Sequence, residues 1–144
     1  PPIGNRSYGG RRVIDLHGRE YYKEQKPFIM AQIETLESVD NAPEIAAVEG
    51  IDLLFFGPDD MKTRMGIPID TPMLDDPQLR EAMRRTAEIA RAAGKFAGTV
   101  AATPAAVKAC REMGYQVLMT GGDVTLFRTY APQRLAEMKK ALEG

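Results

Sequence analysis

The chain has 144 residues, 44% of them hydrophobic, which suits one domain with a real core. Nineteen basic side chains stand against 20 acidic ones, for a formal net charge of -1, so no strong field points to nucleic acid or to an anionic membrane surface. The single cysteine, Cys110, excludes a disulfide framework within the chain and makes a reducing, cytoplasmic setting the expectation.

The opening residues, Pro1-Pro2-Ile3-Gly4, read as a loop, and no helical stripe is evident before Gly18. The chain does not begin with Met, and the expectation is that it starts inside a larger fold. A short helix is predicted over 18–25. The apolar run 28–34, set off by Pro27, reads as a buried strand ending in Gln32-Ile33-Glu34. Asp40-Asn41-Ala42-Pro43-Glu44 has the cap-then-proline form of a helix start, and Gly50 the form of its stop. A nearly all-apolar strand follows over 51–57, as expected when both faces are covered. Gly57-Pro58-Asp59-Asp60 turns the chain, and 61–71 reads as a loop or short helix. Leu79, Met83, Ala87, Ile89 and Ala90 stripe a long helix over 76–93, closed by Gly94. A strand over 95–101, a Thr103-Pro104 cap, a helix over 105–113, a strand over 115–120 and a last helix over 124–142, broken near Pro132, complete the series. No run reaches the roughly 18 apolar residues that span a bilayer, so no membrane partner is expected.

Strict strand–helix alternation predicts an α/β fold with parallel strands. Two architectures fit: a doubly wound open sheet, or half of a (β/α)₈ barrel. No G-x-G-x-x-G turn or Walker lysine loop follows any strand, which lowers the nucleotide-binding reading. Both architectures bind ligands at the carboxyl ends of strands, where Glu34, Asp59-Asp60 and Asp123 fall. Carboxylates after two successive strands, about 4.8 Å apart, can share one hard divalent cation. Plain helix caps or solvated loop acids explain the same residues, Asp59-Asp60 above all. Gln32 and Glu34 are harder to explain so: they share one strand face, which in a barrel points inward, where polar groups need partners.

The segments Ala31-Gln32-Ile33-Glu34-Thr35, Ile45 to Asp52 and Phe56-Gly57-Pro58-Asp59-Asp60-Met61 resemble the signature of the HpcH/HpaI aldolases: a QIE-T motif, a helix-to-strand passage ending in Gly-Ile-Asp, and a GP-x-D-L loop. Pro1-Pro2-Ile3-Gly4-Asn5-Arg6 is similar to the family's PP-x-G-x-R loop, and Gly121-Gly122-Asp123 to its late turn. The resemblance implies a phosphoenolpyruvate/pyruvate-type (β/α)₈ TIM barrel, of which residues 1–144 form the C-terminal part of the single domain. It implies a metal-dependent aldolase that cleaves or forms 4-hydroxy-2-oxo acids from pyruvate, or another 2-oxo acid, and an aldehyde through a metal-stabilised enolate. Glu34 and Asp60 would hold the divalent ion (Mg²⁺, Mn²⁺ or Co²⁺). Gln32 would contact the substrate, and the backbone at Asp59 and Asp60 would bind its carboxylate. The family's essential Arg and its His–Asp acid/base pair would lie outside this chain, in a complementary N-terminal half-barrel, and a homo-oligomer is expected through the apolar stripe of the last helix.

The sequence departs from the family pattern at Asp59, Met61 and Lys62, which stand where a small residue, Leu and Ser are usual. His17, the sole histidine, does not match the family's base and reads as a solvated or structural residue. Cys110 reads as a small core residue. Arg6 reads either as a group reaching the site or a neighbouring subunit, or as a loop salt bridge; Asp123 as an orienting group or a cap. Lys95 precedes its strand, the wrong end of a barrel for a Schiff base. Two other readings stay open: a citrate-lyase-β-like or malyl-CoA-type lyase, and a non-catalytic half-barrel that serves as an assembly partner.

Overall fold

A computed structural model describes residues 11–24 and 26–142. The opening Pro-Gly loop, with Arg6, lies outside the described residues, as does Gln25 at the end of the first predicted helix. In chain order come α1 (Arg11–His17), α2 (Tyr21–Glu24), β1 (Met30–Ile33), α3 (Leu36–Asp40), α4 (Ala42–Ala47), β2 (Leu53–Phe56), α5 (Pro58–Met65), α6 (Pro77–Ala92), β3 (Phe96–Val100), α7 (Pro104–Met113), β4 (Val117–Met119) and α8 (Asp123–Leu142).

The four strands form one parallel sheet in the order β1-β2-β3-β4. This order decides between the two architectures left open by the sequence. A doubly wound sheet reverses its strand order and carries helices on both faces. Here the order never reverses, and the helices that supply the core, α3 to α7, pack on one face. Ile33, Leu54, Phe56 and Ala97 from the strands join Val39, Ala46, Leu79, Met83, Ala87 and Cys110 from the helices in a single core cluster. A sheet wound one way with its helices on one side is an arc of a barrel.

The opposite face is open. Met30, Leu53 and Phe96 form one row across it; Gln32, Phe55, Gly98 and Val117 form the next. Phe28, Met30, Phe96 and Met119 are each about half exposed there. Leu53 and Phe55 are buried on this face, and both lie over Gly98, where a Cβ would fall 2.9 Å from Phe55 and 3.0 Å from Leu53.

The helices follow local chemistry. Asp76 caps α6 by accepting from Leu79 N at 2.8 Å, and Thr103 caps α7 by accepting from Ala106 N at 3.1 Å. Leu79, Met83, Ala87 and Ala90 are fully buried along α6, as their spacing requires. Gly94 and Gly114, at φ 70° and 100°, take the left-handed turns that end α6 and α7.

Five expectations need correction. The strand expected to be buried over 28–34 is β1, Met30–Ile33, in which only Ile33 is buried, because Met30 and Gln32 lie on the open face. The residues before Gly18 include a helix, α1, closed by Gly18 N–H donating to Ile14 O at 2.8 Å; nothing between Gly10 and Gly18 breaks it. The stretch after Glu34 holds α3 before α4, because Thr35 and Ser38 form a capping box. The α4 helix ends at Ala47, where Val48 turns extended, ahead of Gly50. Pro132 does not break α8: the helix runs from Asp123 to Leu142 through it, with no buried residue. Among the described residues no helix is long and apolar enough to cross a membrane.

Candidate active site

The carboxyl ends of β1 and β2 meet at a glycine. Gly57 N–H donates to Ile33 O at 3.0 Å, which carries the β1–β2 ladder one step past both strands. Glu34 therefore lies opposite Gly57. Its side chain fills the space that a side chain at 57 would take: a Cβ there would be 2.7 Å from Glu34 Cγ and 2.9 Å from Oε1. Gly57 sits at φ -95°, which any residue adopts, so the demand for glycine here is steric. Below Glu34 the backbone is locked. Ser38 Oγ accepts from Glu34 N at 3.1 Å and from Thr35 N at 3.0 Å, while Thr35 Oγ1 accepts from Ser38 N at 2.9 Å.

Gly57 is also the N-cap of α5. It offers no side-chain acceptor, and Pro58 opens the helix. The first turn thus presents the N–H groups of Asp59 and Asp60 without a side-chain cap, at the positive end of the helix dipole. Thr99 steadies the strand that delivers this turn, its buried hydroxyl donating to Phe56 O at 3.0 Å.

The sequence-derived candidates are placed as follows. Gln32 lies on the open sheet face in register with Phe55, two residues before Glu34 and on the same side. Glu34 stands against Gly57, at the head of the turn that carries Asp59 and Asp60. Both aspartates are exposed. The Asp59 carboxylate is engaged: Oδ1 accepts from Lys62 Nζ at 3.0 Å. Among the described residues no group of three or more His, Cys, Asp or Glu side chains converges as a metal cluster. Lys62, singled out from the sequence only as an odd substitution, proves to be buried. The three-residue spacing from Asp59 permits their pairing on a helix, but it does not show that Lys62 is buried.

The remaining candidates fall elsewhere. His17 ends α1, its ring stacked on Tyr21 with centroids 4.4 Å apart. Cys110 is buried in the core, and that burial pushes its thiol pKa up. Asp123 Oδ1 accepts from Val124 N at 2.8 Å, at the start of α8. Lys95 precedes β3, at the end of the sheet away from Glu34.

The sequence of this chain matches the pattern of the HpcH/HpaI aldolase/citrate lyase family over residues 3–129. The chain belongs to that family. The 2-keto-3-deoxy-L-rhamnonate aldolase of Escherichia coli is 32% identical over 149 aligned positions, covering 100% of this chain and 55% of that protein. The crystal structure of an HpcH/HpaI aldolase from Desulfitobacterium hafniense superposes with a TM-score of 0.75 at 32% identity, over 96% of this chain and 55% of that one. An HpcH/HpaI aldolase/citrate lyase family protein from Burkholderia cenocepacia gives 0.74 at 30% identity, over 96% and 54%. The chain spans about half the length of the relatives it matches. Its HpcH/HpaI fold is therefore about half of a TIM-type barrel, in accord with the one-way winding of the sheet.

Proposed function

We propose that this chain is the metal- and substrate-holding part of a barrel aldolase that joins or cleaves pyruvate (or another 2-oxo acid) and an aldehyde, with 4-hydroxy-2-oxo acids as the condensed partner. The observation that carries the reading is the seat of Glu34 in the Cβ space of Gly57, directly above the uncapped first turn of α5.

The residues fit a divalent cation. Glu34, just past β1, and Asp60, in the first turn of α5 after β2, would offer hard oxygen donors, the type that Mg²⁺, Mn²⁺ or Co²⁺ prefers. Two protein carboxylates leave positions for substrate oxygens and water. When bound, such an ion supplies Lewis acidity toward the keto oxygen of a 2-oxo acid. The chain's own groups do the rest. Glu34 and Asp60 hold the ion. The N–H groups of Asp59 and Asp60 receive the substrate carboxylate, helped by the α5 dipole. Gln32 donates its amide to the substrate from the open sheet face. The groups that move protons, an Arg and a His–Asp pair, belong on the complementary half-barrel.

That complementary half, on this polypeptide or another, covers the open face of Phe28, Met30, Phe96 and Met119 and pairs the free edges of β1 and β4. Along α8, Val124, Leu126, Phe127, Tyr130 and Leu142 are more than half exposed, which supports burial against a neighbouring subunit in an oligomer.

The test is pyruvate release from a panel of 4-hydroxy-2-oxo acids by the full-length enzyme, with each metal and with chelator. A CoA-thioester arm checks the lyase chemistry also named in the family. Activity that survives full chelation, or that survives Glu34→Gln, overturns the reading.

A further inference from the structure

Lys62 is a lysine on the helix that heads the site, yet it is only 5% exposed. A buried ammonium needs acceptors. Here Nζ donates to Asp59 Oδ1 at 3.0 Å and to Ile69 O at 3.1 Å. One partner belongs to the first turn of α5, the other to the loop over 66–75 that follows the helix. Lys62 O accepts from Ile67 N at 2.9 Å, so the residue grips that loop by its backbone as well. The pair is lopsided: the Lys62 side chain is 6% exposed and that of Asp59 is 72% exposed. Asp60, beside Asp59 in the same turn, has no ion-pair partner among the described residues.

Two carboxylates in a first turn create a conflict. That turn is electropositive and welcomes an anion. A free Asp59 carboxylate would compete with an incoming substrate carboxylate for the same N–H groups, and would add negative charge next to Asp60. The i,i+3 tie to Lys62 draws the Asp59 carboxylate down the helix and cancels its charge.

We propose that Lys62 is a positioning residue that neutralises Asp59 and pins the 66–75 loop, so that the first turn of α5 stays open to an anionic substrate while Asp60 alone carries uncompensated charge. The inference rests on the reading of this turn as the substrate-carboxylate seat.

The test uses the full-length enzyme and three variants: Lys62→Met, Asp59→Asn and the double Asp59→Asn/Lys62→Met. Met keeps the bulk of Lys62 without its charge, so the core stays filled. Pyruvate affinity and Mn²⁺ affinity are titrated separately, and kcat and KM are measured for one 4-hydroxy-2-oxo acid. Lys62→Met is expected to weaken pyruvate binding and raise KM roughly five- to tenfold through the freed charge, with a smaller change in kcat. Mn²⁺ binding is expected to hold or tighten, because the freed carboxylate adds negative charge beside the cation. The double variant returns both affinities toward wild type. A merely structural lysine would weaken both ligands together, and the second substitution would not restore them. Parallel loss of both affinities, or no change in either, overturns the role of Lys62 while leaving the metal site standing. Failure of the unaltered enzyme to bind Mn²⁺ or pyruvate overturns the underlying reading of the site instead.

Discussion

Glu34 and Gly57 share one volume: the side chain of the first occupies the place a Cβ on the second would take, 2.7 Å from Glu34 Cγ. A side chain cannot be added at 57 without moving Glu34. Gly57→Ala is therefore expected to displace the Glu34 carboxylate rather than strain the backbone, since φ at 57 is -95°. Divalent-metal affinity should fall at least about tenfold, with stability lowered by about 1–3 kcal/mol from overpacking. Calorimetric metal titration and urea unfolding measure the two effects; unchanged metal affinity in Gly57→Ala would show that the seat of Glu34 is not needed.

Asp60→Asn should weaken metal binding more than Asp59→Asn does. The first removes a carboxylate with no ion-pair partner among the described residues, the second one already engaged by Lys62. Equal losses in Mn²⁺ titrations of the two variants would contradict this ranking.

Thr99→Val removes the donor to Phe56 O, one residue before Gly57. The β2–β3 ladder also pairs this carbonyl, so the hydroxyl adds a second bond, worth about 0.5–1.5 kcal/mol net. We expect a stability loss in that range, together with weaker metal binding as the end of β2 loosens. A melting curve that matches wild type would refute the anchoring role.

Stability should decline on the alkaline side. Burial raises the pKa of Cys110 above the ordinary thiol value of 9.0 and that of Tyr115 above the ordinary phenol value of 10.0. Both groups are neutral acids in the folded chain, so the unfolded chain loses their protons first. The stability they lend is whole below pH 9.0 and drains away as pH climbs past their unfolded values. Urea unfolding at pH 8, 9.5 and 10.5 checks this. Tyr115→Phe, which loses the bond to Met83 O at 2.8 Å, should start lower and fall less steeply. A flat profile across these pH values in the wild type would count against the buried-acid account.

Much of this fold is legible in the sequence because its elements are marked by strong local signals. Asp76 and Thr103 announce their helices by capping chemistry, and the short apolar run Leu53 to Phe56 reads as a strand whose four residues are indeed buried. The α3 helix is harder to read, since its capping box closes with Ser38 where Glu or Gln is the recognisable partner. The α5 helix hides behind Gly66 and Pro68, which argue for a loop just where the helix ends. Pro132 misleads in the other direction, because a proline is tolerated in α8. At the site, strand-end position brings up Glu34, Asp59, Asp60 and Asp123, and only the family resemblance chooses Glu34 and Asp60 among them; no local pattern shows that Glu34 leans over Gly57 or that Lys62 turns inward. Both depend on the register of β1 against β2 and on the path of the 66–75 loop, which are tertiary facts.

Because among the described residues every strand pairs with the strand just before or after it in the chain, the sheet has a natural order of growth. Each strand–helix step can dock on its predecessor without waiting for a distant partner, so loop-closure entropy is spent in small instalments. Assembly of this arc can thus proceed like a zipper, strand by strand along the chain.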